Sequence, residues 1–190
     1  MFLMHAAAAA AAASPVISSE TLVVLALGVA MCWLAMVVHE LGHALAALLL
    51  GVRIWAINLG IGPTIWSRTI RGCRVRIGLV PLVGSVQLLD ADAVAIGYRD
   101  IRPGFWRFVW VPGAWRAPII SAAGGFANLL ATVAFAAWAL QPHGAGGLGQ
   151  LLGIFGVVAN FSGYLNLLPC FSSDGVHLLA HLRAMREAGV

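Results

Sequence analysis

Lysine is absent from the 190 residues, and all eleven basic side chains are arginine. Charged residues make up only 9% of the chain, against 61% hydrophobic. A soluble domain carries roughly 25% charged residues, so composition excludes an ordinary soluble fold. The net charge of +4 does not argue for a nucleic-acid partner. Nine arginines lie between Arg53 and Arg116, the others are Arg183 and Arg186, and they bracket apolar runs as the positive-inside rule expects. Cysteine is scarce as well. Cys32, Cys73 and Cys170 make no paired spacing, which excludes a disulfide framework and a CxxC zinc site. Cys32 and Cys170 are expected to pack among apolar neighbours, and Cys73 to be a reduced thiol. No basic residue precedes the first apolar stretch, so a cleaved signal peptide is not supported. No internal repeat is evident.

What is present are long uncharged runs. After an alanine-rich extension over residues 1–20, Glu40 is the only charged residue between Leu22 and Val52. Those 31 residues make about 46 Å of helix, more than the roughly 30 Å of a bilayer core. Residues 117–173 carry no charge, and "QPHGAGGLG" divides them into spans of about 117–140 and 150–168. His143, in that break, reads as a loop residue. Residues 53–89 are rich in β-branched and aromatic residues with arginines between them. They predict short strands, with turns near Gly60–Pro63 and Arg71–Gly72, in a sheet at one membrane face. Residues 90–116 read as a polar connector ending in an aromatic belt of Trp106, Trp110 and Trp115. A short amphipathic helix is expected over 175–187.

The expected fold class is therefore an α-helical integral membrane protein. It has a three-span core, with a small membrane-associated β-sheet between spans one and two, in a single domain over 21–190. The arginine-rich loop after span one and the tail after span three fall on one side, the cytoplasmic side by the positive-inside rule. The expected location is a bacterial inner membrane, with the lipid bilayer as surroundings. No feature of the sequence fixes an oligomeric state.

One stretch departs from this pattern. "VVHELGHALAALLLG", residues 37–51, places two histidines and a glutamate in a bilayer helix, where a charged residue costs about 2.5–3.5 kcal/mol. HExxH on a helix sets His39 and His43 one turn apart on one face, able to share a zinc ion. Glu40 is then placed to act as general base. The bland alternative is that all three are satisfied by interhelical hydrogen bonds. His39 follows Leu22 by 17 residues, about 26 Å of helix, so the site sits near the inner boundary. A catalytic zinc usually has three protein ligands. The only other acid near a span is Asp174, and spans one and three end on the same face. "SSDG" suits a helix N-cap equally well.

The motifs "HELGHALAALLLGV", "LGIGPTIWSR", "VPLVGSVQL", "GGFAN" and "NLLPCFSSDG" together resemble site-2 proteases, the intramembrane zinc metalloproteases, in a compact form without a PDZ domain. The resemblance covers roughly residues 30–180. It implies that His39, His43 and Asp174 bind one zinc ion and that Glu40 activates water. It implies that Asn166 and Pro169 shape the third span and that Asn128 faces the site. It further implies that the sheet offers strand edges to an unwound transmembrane substrate, in regulated intramembrane proteolysis. The chain departs from the family pattern at Gly125, at Cys170–Ser173 and at Val176. His177 and His181 read as surface residues of the last helix. Two other classes fit intramembrane histidines: a metal-ion transporter, and an inactive zinc-binding scaffold.

Overall fold

The computed structural model describes residues 18–88, 97–102, 105–109, 115–141, 147–169 and 173–187. The extension over 1–17, His143, Cys170 and Trp110 lie outside them. Helix α1 is Ser19–Leu49, α2 Arg116–Ala139, α3 Gly147–Tyr164 and α4 Asp174–Glu187. A 3-10 turn, Leu165–Leu167, follows α3. Among the described residues, three helical segments are long and apolar enough to cross a membrane: Ser19–Leu49, Arg116–Ala139 and Gly147–Leu167.

Local chemistry sets the ends of α1. Ser18 Oγ accepts a hydrogen bond from the Thr21 N–H at 3.2 Å, so the helix starts before the expected Leu22. At the other end Gly51 has φ +71°. The Val52 N–H donates to Ala47 O at 2.8 Å and the Gly51 N–H to Leu48 O at 3.1 Å. This is a Schellman stop. Its apolar clasp is the buried cluster of Ala47, Val52 and Ile120, which ties the end of α1 to α2.

Strands β1 (Ile54–Ile70) and β2 (Cys73–Leu88) follow. They meet at Arg71 (φ 49°) and Gly72 (φ 85°), the two positive-φ residues of a type I′ hairpin turn. The register shows that each long strand folds back. Ala56 stands opposite both Gln87 and Arg74, and Leu59 opposite both Gly84 and Ile77, while Ser67 pairs with Arg76. The expected reversal near Gly60–Pro63 is therefore present. Gly60 has φ +86°, and a methyl group there would meet Val80 O at 2.8 Å.

Residues 97–102 and 105–109 correct the reading of a plain connector. They form a second hairpin, β3 (Gly97–Arg102) and β4 (Phe105–Val109), paired from Gly97↔Val109 to Arg102↔Phe105. Tyr98, Phe105, Trp106 and Phe108 favour strands, and Pro103–Gly104 is a turn signal. The charges interleaved with them hid that pattern.

Small residues let the helices approach. A methyl group on Gly42 would meet Ala123 O and Ala127 Cβ, both at 2.7 Å, so α1 and α2 touch backbone to backbone. Trp138 Nε1 donates to Gly149 O at 3.1 Å, joining the facing ends of α2 and α3. Close approach through small residues is how apolar helices gain contact where lipid offers no hydrophobic drive. Cys32 was expected to pack, but it is exposed on α1.

Candidate metal centre

The buried residues of α1 are Ala35, His39, Glu40, His43, Ala44 and Ala47. This single stripe points His39 and His43 toward α2 and α3. Their rings meet edge to face, with centroids 4.8 Å apart. His43 Nδ1 lies 2.6 Å from the Ile120 carbonyl. A carbonyl only accepts, so Nδ1 carries the hydrogen and Nε2 presents its lone pair inward. Gly124 leaves the space for that ring, since a methyl group there would overlap His43 Nε2.

Asp174 arrives from the far end of the chain. Ser173 Oγ donates to Leu168 O at 2.6 Å and closes the loop after α3. The Val176 N–H donates to Ser173 O at 3.0 Å, so Ser173 precedes the helix and Asp174 is its first residue. The capping alternative for Asp174 is thereby corrected: its carboxylate turns to the histidines. Gly175 permits this, because any side chain there would overlap the Leu167 backbone.

Asp174 Oδ2 lies 2.8 Å from His39 Nε2 and 3.3 Å from His43 Nε2, and the two Nε2 atoms are 3.2 Å apart. One ligand atom from each of the three residues lies within 4.8 Å of the others. A tetrahedral zinc with bonds of about 2.0–2.2 Å spaces its donors about 3.3–3.6 Å apart; two separations are close to this and the third is shorter. Burial alone pushes the Asp174 carboxyl up, but the His39 and His43 imidazoles beside it hold it well below the usual carboxylate range.

Two asparagines support this cluster. Asn166 Nδ2 donates to Asp174 Oδ2 at 2.8 Å. Asn128 is 1% exposed, its Nδ2 lies 3.3 Å from His39 Nδ1, and its Oδ1 is buried without a partner among the described residues. A metal on His39 Nε2 requires the hydrogen on Nδ1. The Asn128 amide must then present Oδ1 to it, the very atom left without a donor. The donor set and this orphaned oxygen fit a divalent ion with nitrogen and oxygen ligands.

Glu40 is 5% exposed. A methyl group on Gly84 would meet Glu40 Oε1 at 2.5 Å, so the carboxylate lies directly against the backbone of β2. Pro169 is exposed; it holds Leu168 extended (φ −70°, ψ 136°) and ends the 3-10 turn. His177 is exposed as expected, whereas His181 is half-buried rather than surface. Sequence reasoning gave no role to Gly84, to the Ile120 carbonyl or to the fully buried Asn160. Of these, only Gly84 had a signal, the glycine in "VPLVGSVQL".

Residues 26–146 match the model of peptidase family M50. The chain belongs to peptidase family M50. The M50 match takes in the HExxH helix and Asn128, and Asp174 lies beyond it. The regulator of sigma-E protease of Salmonella typhimurium is 36% identical over 117 residues, 61% of this chain and 25% of that protein. Proteins named "Putative zinc metalloprotease" are also similar. That of Campylobacter jejuni is 40% identical over 67 residues, 35% of this chain and 16% of its own length. That of Chlamydia pneumoniae is 30% identical over 123 residues, 60% of this chain and 18% of its own length. The chain spans a quarter or less of these curated relatives.

Proposed function

We propose that this chain is a zinc-dependent endopeptidase that cuts a transmembrane segment of another protein within the bilayer. One observation carries the reading: the His39, His43 and Asp174 ligand atoms converge while Glu40, beside them, lies against strand β2. The relatives' names support zinc as the metal and proteolysis as the reaction. The three long apolar helices support a multi-pass membrane protein, and the arginine distribution supports a site toward the cytoplasmic face.

His39, His43 and Asp174 would hold the ion, with Asn128, Ile120 and Asn166 orienting them. When bound, zinc polarises the scissile carbonyl and lowers the pKa of water to about 7. Glu40 takes the proton of the attacking water on its carboxylate and returns it to the leaving amine. A helical substrate hides its carbonyls in internal hydrogen bonds and must unwind first. Backbone pairing along β2 near Gly84 would replace those bonds, which cannot be left unmade in lipid.

The test pairs wild type with Glu40→Gln in detergent or vesicles, measuring bound zinc and cleavage of a model transmembrane substrate. Glu40→Gln retains stoichiometric zinc and loses about 10²–10⁴-fold in rate. Equal cleavage by both, or wild type that binds no zinc, defeats the reading.

A further inference from the structure

The β1–β2 sheet is polarised along its strands. Its register places the Arg71–Gly72 turn at the end where α1 stops, with Arg74 level with Ala56. The opposite end carries the reversals near Gly60–Pro63 and Gly78–Gly84. No charged residue occurs in 54–67 or 77–89. Leu79, Leu82 and Val83 are 57%, 73% and 57% exposed there. At the first end Arg68, Arg71 and Arg74 are all exposed. No acidic residue lies between Glu40 and Asp90 to offset them, and none of the three forms an ion pair among the described residues. The Arg74 guanidinium stacks over Trp55 at 5.3 Å, and Arg116 over Trp115 at 5.6 Å. Ile120 ties the start of α2 to the end of α1, so both pairs lie at the same level. Arg76 is otherwise engaged, donating to Thr64 Oγ1 at 2.7 Å and Gly62 O at 2.5 Å.

An apolar tip, arginines at the other end and tryptophans beside them match a depth profile that runs from the phosphate level into hydrocarbon. In such a profile the tip would meet hydrocarbon and the arginines would meet phosphates. Guanidinium groups bind phosphate oxygens in bidentate pairs. We propose that Arg68 and Arg74, on the two faces of the hairpin, and Arg71 in its turn bind the headgroups of anionic phospholipids. This binding fixes the depth of the sheet, and with it the height of Gly84 against Glu40. Zinc and proteolysis are not needed for it.

The full chain is reconstituted in phosphatidylcholine vesicles containing spin-labelled phosphatidylglycerol or phosphatidylcholine, and the protein-associated fraction of each label is read by electron paramagnetic resonance. Wild type and Glu40→Gln prefer phosphatidylglycerol equally, and the preference weakens as salt is raised. It falls up to about fivefold for each arginine replaced, and is lost in Arg68→Gln/Arg71→Gln/Arg74→Gln. The matching triple lysine variant keeps most of it, separating charge from misfolding. Wild type without a preference, or a triple glutamine variant that keeps it, overturns the proposal. So does arginine-dependent capture of a polyglutamate peptide without any lipid preference, which would mark a protein partner instead.

Discussion

The two halves of α1 carry one charged residue each, Glu20 and Glu40, and stand in different surroundings. In the outer half, Leu22 and Val29 are 55% and 56% exposed, and no residue from 19 to 34 is buried. The inner half buries His39, Glu40 and His43 with three alanines, while Leu41, Leu45, Leu48 and Leu49 face outward. This inverts the soluble rule, in which leucine packs inward and histidine faces water. Lipid is as apolar as leucine, so large side chains gain nothing by leaving it. Small residues are buried because backbones can close over them, and polar ones because they find partners there. Burial in this helix follows the chemistry of the site rather than hydrophobicity.

That contrast can be broken most sharply at the cluster itself. Asp174→Ala removes a ligand while leaving α1 intact, and zinc affinity, read by competition with a chromophoric chelator, falls on the order of 100-fold. Unchanged affinity would return Asp174 to a purely local role in α4. Asn128→Leu keeps volume but leaves His39 Nδ1 without a partner; the same chelator assay gives a loss of about 10–100-fold.

Within α1, one substitution at two heights separates the halves. Gly42→Ala drives a methyl group into the α2 backbone, whereas the same change at Gly28 meets nothing within 4 Å. Gly42→Ala costs about 1–3 kcal/mol in unfolding in mixed micelles, and Gly28→Ala stays within about 0.5 kcal/mol. Similar costs at both positions would mean that the outer half has a packing partner.

The smallest effect concerns a titrating group outside the cluster. Burial, reinforced by His177, lowers the pKa of His181 to about 4. Its folded pKa thus lies below the unfolded value of about 6.5. The unfolded chain therefore takes up more protons between the two values, and stability falls as pH drops from about 6.5 to about 4. His181→Gln flattens that part of a melting-temperature profile; an unaltered slope would assign it to other groups.

Much of this was legible because lipid tolerates few sequences. A run without charge long enough to span is a direct reading, and the expected spans lie within three residues of the observed helices. The I′ turn was legible from Arg71–Gly72. The β3–β4 hairpin was not, since its strand formers alternate with arginine and aspartate. Cys32 and His181 were misplaced for a related reason: which side of a helix is covered depends on what packs there, and periodicity alone does not say.

By itself the sequence determined the long apolar helices, the HExxH face and the turn glycines, because each depends on residues within a few positions of one another. The tertiary structure alone brought Asp174 to His39 across 135 residues, set Glu40 against Gly84, and turned the Ile120 carbonyl to His43. Those contacts depend on how closely backbones approach at Gly42, Gly124 and Gly175, and that distance is set by the packed helices together.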